Sequence, residues 1–356
     1  MSPVRTLLLI LPLLGTIARA ATFAEPVRLT PSPATEVALA YTTDGPLVVW
    51  RNEAGTLIAR AAGGSDEHLV ASETQRIAVA AIGRGGLAVW TQTSGAVMVV
   101  RLTGDGVPSG AIVRLASNAA GAVTVAASED RYFVAWLSNL GEVYSALLDS
   151  SAGIQVPAMA ASTQSLDSID ELRSASSGDG FAVVWHRWSP TRAIHALTFD
   201  ANGTPASLVP MVIEEDGYFP DVTWNASTYF VAWGDARGIG GRTLTPQRDL
   251  GRRVRVTGEE DVVPRIGWDG SAYDAAFVRY AHPRPGFSIP FMAAQRFRPS
   301  GADLENLGAR APLLPGSWDL DARDGRVDLV VASSDGVTLQ TATVTTPPVR
   351  SRAVRH

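Results

Sequence analysis

The sequence predicts an all-β chain folded as a seven-bladed β-propeller of four-stranded antiparallel blades, with an N-terminal strand completing the last blade. Three observations predict it. A short apolar strand ending in tryptophan recurs along the chain, the recurrences are spaced mostly in the forties of residues, and the last unit lacks a strand that the beginning of the chain can supply.

The repeat is clearest between Pro220-Asp221-Val222-Thr223-Trp224-Asn225-Ala226-Ser227-Thr228-Tyr229-Phe230-Val231-Ala232-Trp233 and the stretch from Pro264 to Phe277, where Pro, Trp and Tyr return in place. Further copies end at Trp50, Trp90, Trp136 and Trp185, and a degraded seventh runs Val327-Asp328-Leu329-Val330-Val331-Ala332 without an aromatic residue. Successive anchors, from 50 to about 331, are separated by 40, 46, 49, 48, 44 and about 54 residues. That period is the length of one propeller blade, whereas tandem β-sandwiches would need about 100 residues per unit.

Within the fifth unit, four strands are expected near Phe219–Trp224, Tyr229–Gly234, Gly240–Leu244 and Arg252–Val256, with turns at Asn225-Ala226-Ser227 and Pro246-Gln247-Arg248-Asp249. The second strand of each unit is almost wholly apolar, as a strand buried on both faces must be. Its terminal Trp has the volume to fill the wedge between two twisted sheets, so the five anchor tryptophans are read as packing rather than chemistry. After Val331 only one more strand fits before Pro347-Pro348. Glu25 to Thr30 resembles the outer strands Ala111–Ala116 and Arg253–Thr257 and is expected to close the ring, removing exposed sheet edges.

On the recurring aromatic-Phe-Val-Ala-Trp strand, the chain resembles the secreted β-propeller repeat proteins of bacteria over about residues 25 to 345. The resemblance implies a fold and an extracellular location and carries no activity.

Residues 1–20 read as a signal peptide. Arg5 supplies the positive end, Leu7 to Leu14 an apolar stretch broken by Pro12, and Ala18-Arg19-Ala20 the small-x-small cleavage pattern before Ala21. The apolar run is shorter than the roughly 20 residues that span a bilayer. Residues 21–345 are expected to form one propeller domain and 346–356 a flexible basic tail. With no cysteine, the fold must hold without disulfides, thiolate metal sites or an N-terminal lipid anchor. All thirty basic residues are Arg, and the net charge of −5 becomes −7 once Arg5 and Arg19 leave with the leader. A mildly acidic chain lacking a basic stripe argues against nucleic acid as a partner. The expectation is a secreted or periplasmic monomer with no cofactor and no membrane anchor.

In a propeller the loops entering each inner strand, and those leaving the second strand, share one face, where ligand sites gather on a rigid scaffold. Charge concentrates there in blades four to six. The candidate ligand-binding residues are Asp170, Glu171, His186, Arg187, Trp188, Glu215, Asp216, Asp235, Arg237, Glu260, Asp261, Arg279 and His282. Local ion pairing of exposed charges is the competing explanation for each. Trp188 falls outside the repeat frame and is suited to stacking on a sugar or contacting a peptide.

Catalytic patterns mostly fail. Ser333 to Leu339 echoes a sialidase Asp-box but is one residue short and lacks its Trp. Asp319-Leu320-Asp321-Ala322-Arg323-Asp324-Gly325 approaches a calcium loop, with Arg323 displacing the third carboxylate. The five His lack ligand spacing, no Gly-x-Ser-x-Gly elbow is present, and Gly238-Ile239-Gly240-Gly241 opens no helix. Two functions remain: a non-catalytic binding or scaffold protein engaging a glycan, peptide or protein through the loops of blades four to six, or a carbohydrate-active hydrolase or lyase using carboxylates on the same face.

Overall fold

The computed structural model describes residues 23–343 apart from 163–170, 189–191, 259–260, 285–286, 299–302 and 308–316. The expected leader and basic tail therefore lie outside the described residues. Among those described are seven four-stranded antiparallel sheets and no helix. Blades one to six occupy Ala34–Ala71, Thr74–Ala116, Ala119–Ala160, Leu172–Glu215, Tyr218–Arg255 and Asp261–Asn306, each running from its innermost to its outermost strand in chain order. Blade seven takes three strands from Trp318–Thr343 and its outer strand from Val27–Thr30.

The second strands are buried on both faces, and their alternation divides the core among neighbours. Tyr132, Val134 and Trp136 pack back onto Leu87, Val89 and Val97 of blade two, while Phe133 and Ala135 pack forward onto Phe181, Val183 and Trp185 of blade four. The Phe133 and Phe181 rings stack with centroids 4.7 Å apart. The same division recurs around the circle in seven apolar clusters, each lying mainly at one blade–blade boundary, including that between blades seven and one. Trp50, Trp90, Trp136, Trp185 and Trp233 are each at most 1 % exposed, which makes them the wedges that the repeat implies.

The closing strand pairs antiparallel with the last strand of the chain, Val27 opposite Leu339 and Arg28 opposite Thr338. Leu29 enters the apolar cluster between blades seven and one, and Phe23 packs against that between blades six and seven. The Ala24 amide donates to the Thr341 carbonyl at 2.9 Å, extending the attachment. The degraded seventh repeat is in register, with Trp318 opposite Val331. The Asp319–Gly325 segment is an inner strand, Trp318–Arg323, and the hairpin turn after it, and Ser333–Gly336 is likewise a tight strand turn. The first is thus strand and hairpin rather than a calcium loop, and the second is the strand turn that explains the Asp-box echo.

Inner strands have one edge without a strand partner, so their outward N–H groups need acceptors. Side chains of the preceding blade supply several. Asp221 Oδ2 accepts the Ile266 amide at 2.8 Å, and Asp319 Oδ2 accepts that of Leu39 at 2.9 Å across the ring closure. Glu36 and the Ser317 hydroxyl accept from Ile77 and Val37, both at 3.4 Å. Between the inner strands of blades six and seven one position admits only glycine: a Cβ on Gly267 would lie 2.6 Å from that of Ala322.

Replacing Trp136 by Ala is expected to cost roughly 3–5 kcal/mol in chemical denaturation, and an unchanged midpoint would show that the ring is not internal. Deleting the chain through Thr30 is expected to lower the melting midpoint and cause self-association through the uncovered edge of Gly336–Thr343, read by light scattering after size exclusion; a monomer as stable as the parent would contradict closure by the leading strand.

Candidate functional site

The loop side of blades four and five carries an aromatic ledge. His186 and Trp188 leave the second strand of blade four, and Tyr218 and Phe219 begin the inner strand of blade five. Phe219 has a φ of +49°, and the ladder shifts register between Tyr218 and Asp221. This bulge turns a bulky residue out of the strand, and the Phe219 ring meets His186 at 5.5 Å and Trp188 at 6.3 Å. His186 is fully buried and supports Trp188 edge-on at 4.4 Å, while Trp188 itself is 37 % exposed. The Arg192 guanidinium lies 5.4 Å from the Trp188 ring and 5.7 Å from that of Tyr218. Gly234 makes room for Tyr218, since a Cβ there would come 2.6 Å from its ring.

The charged candidates divide into two groups. Glu215, Asp216 and Arg237 are exposed beside the ledge, and Arg187 is half-buried. Asp235, Asp261, Arg279 and Glu171 are held in ion pairs. Asp235 binds Arg253 and, at 3.1 Å, Arg255, and Arg253 also reaches Glu214 at 3.0 Å. Asp261 is fully buried and accepts from Nε and Nη2 of Arg279, both at 2.7 Å. Glu171 turns inward from the loop face and binds Arg173 at 3.0 Å and also Arg265. Burial works to raise the Glu171 carboxyl, but the two guanidiniums outweigh it and hold it below the usual carboxylate range. Asp170 and Glu260 lie outside the described residues, as does the His282 side chain; the His282 backbone belongs to the long strand Tyr273–Arg284.

Sequence reading passed over the central channel. Arg173, Asp221, Arg265 and Asp319 occupy one slot in four consecutive blades, each twelve residues before its anchor, where blades one to three have Ala38, Ala78 and Thr124. That constant offset, with charge in a position otherwise small or polar, is the signal that could have found them. Arg173, Asp221, Asp319 and Asp321 line a cavity of about 380 Å³ with Tyr41, Trp224 and Trp268 at its far end. Glu36, Arg76, Glu171 and Arg173 surround a narrower space of about 80 Å³ towards the loop face. Burial pushes the Asp221 carboxyl up to about 6 despite Arg173 and Arg265. Burial, and after it the neighbouring Asp319, pushes Asp321 up to about 7. No group of three or more His or carboxylate side chains among the described residues is arranged to hold a metal ion.

No family model matches the chain, and no curated protein matches it. Among solved structures it is similar to the Dos1 propeller, with a TM-score of 0.54 and 8 % identity over 91 % of this chain and 95 % of that one. At that identity the likeness supports the propeller fold alone.

An acid whose folded pKa lies above its unfolded value of about 3.9 contributes most to stability at low pH, and that contribution is lost as pH rises through the folded value. Asp321 faces Asp319, Asp328 and Tyr41. Asp321→Asn is therefore expected to gain melting temperature relative to the parent as pH rises from 4 to 8, and a difference that does not vary with pH would place this carboxyl in water.

Proposed function

We propose that this chain is a non-catalytic, secreted or periplasmic binding propeller that engages a glycan, peptide or protein through the loop face of blades four to six. The observation that carries this reading is Trp188. A large aromatic side chain is left more than a third exposed while its ring is fixed by T-shaped contacts with buried His186 and with Phe219. A ring held this way can be covered by a ligand with little loss of side-chain entropy, as anchor residues of binding surfaces are. Arg192, Glu215, Asp216 and Arg237 supply polar contacts around it.

Hydrolase or lyase chemistry on this face would need a carboxyl able to donate a proton and another free to accept one. Among the described candidates, Glu171, Asp235 and Asp261 are each engaged by Arg, and Glu215 and Asp216 are exposed to solvent rather than set in a pocket, which favours binding over catalysis. The signal-like leader supports export.

On glycan, peptide and protein arrays probed with the mature chain, Trp188→Ala is expected to abolish retention at the spots the parent occupies and to leave the melting midpoint close to the parent's. Equal retention by both proteins would remove this face from consideration.

A further inference from the structure

The channel has an uncompensated charge. Three carboxylates, Asp221, Asp319 and Asp321, face one guanidinium, Arg173, in the wall of the 380 Å³ cavity. The excess persists when the pair behind the wall is included, since Arg265 is matched by Glu171. Arg173 is itself committed to Glu171 at 3.0 Å and stands 3.9 Å from Asp319. Asp221 is only 8 % exposed; its Oδ2 accepts the Ile266 amide, while its Oδ1 has no hydrogen-bond partner among the described residues and borders the cavity. That oxygen is not sealed off from the channel, so a guest in the cavity can reach it and supply the donor.

The far end of the same cavity is aromatic. Trp224 and Trp268 hold equivalent places in blades five and six, nine residues before their anchors, where the other blades have Tyr41, Ala81, Ala127, Ser176 and Ala322. Their indoles are held against Tyr229 and Tyr273, with centroids 4.8 and 4.9 Å apart. We propose that the central channel binds a small organic ammonium ion between the carboxylates of Asp221 and Asp321 and the indoles of Trp224 and Trp268.

The chemistry selects this class over its neighbours. An anion would meet the excess of carboxylates, with the guanidiniums already engaged. For a metal ion, the described residues offer no group of three or more His or carboxylate side chains arranged as ligands. An alkylated ammonium is satisfied by carboxylate charge on one side and by the negative face of an indole on the other. The volume falls in the range of small-molecule sites, about 300–1,000 Å³. The site uses no residue of the Trp188 ledge, so the two can fail separately.

The test is calorimetric titration of the purified mature chain at pH 7.5 with choline chloride and with putrescine dihydrochloride. The neutral choline isostere 3,3-dimethylbutan-1-ol, sodium acetate and glucose serve as comparisons. Saturable binding of at least one ammonium compound is expected, with the isostere about tenfold weaker or worse and acetate inert. Asp321→Asn and Trp268→Leu are each expected to weaken binding about tenfold or more, while Trp188→Ala leaves it unchanged. Near-ultraviolet circular dichroism checks that each variant is folded, and Trp224→Phe replaces Trp268→Leu should the latter not fold. The proposal is overturned by the absence of saturable binding of either ammonium compound, by equal binding of the isostere, by glucose binding in their place, or by undiminished affinity in folded Asp321→Asn and tryptophan variants.

Discussion

The contact between neighbouring second strands is the interaction from which the rest of the molecule follows. Each strand presents one set of side chains to the blade before it and the other to the blade after it, so every sheet is held only by its neighbours. Twisted sheets splayed about an axis open a wedge, and the anchor tryptophans fill it. Such packing has no natural end and is completed only when the last blade meets the first. Leu29 joins Val330, Ala332 and Trp50 in that final boundary, which ties ring closure to the same apolar physics as the other six.

Bringing seven inner strands around an axis creates the second constraint. Their inward edges have no strand to pair with. Carboxylates and hydroxyls reaching from one blade to the next amide resolve part of the deficit, as Asp221 and Asp319 do. Polar residues in the channel are thus required by the backbone before any ligand is considered. The fold asks for acceptors there, but it does not ask for Asp321 beside Asp319, nor for two indoles in adjacent blades. Those additions separate a laced channel from one able to receive a guest.

The loop face obeys a different logic. Its charged side chains are numerous, yet those close to the strand ends are neutralised locally: Asp235 by Arg253 and Arg255, Asp261 by Arg279. Such pairs steady the loops and leave little free charge for chemistry. What stays available is the aromatic ledge, raised by a bulge that places Phe219 under Trp188.

The sequence by itself determined the propeller architecture, the strand order and the closing strand, because a periodic burial pattern forces periodic side chains and a shortfall of one strand is visible in the count. It pointed to seven blades without excluding six or eight, and the tertiary structure decided on seven. It also singled out Trp188, which breaks that period. The inward turn of Glu171 to Arg265, 94 residues away, was decided only by the tertiary structure. So was the convergence of Arg173, Asp221 and Asp319 on one cavity, since neighbours across a ring are distant along the chain. Whether a charged loop residue is free or paired depends on which strand end faces it, and local sequence holds no record of that.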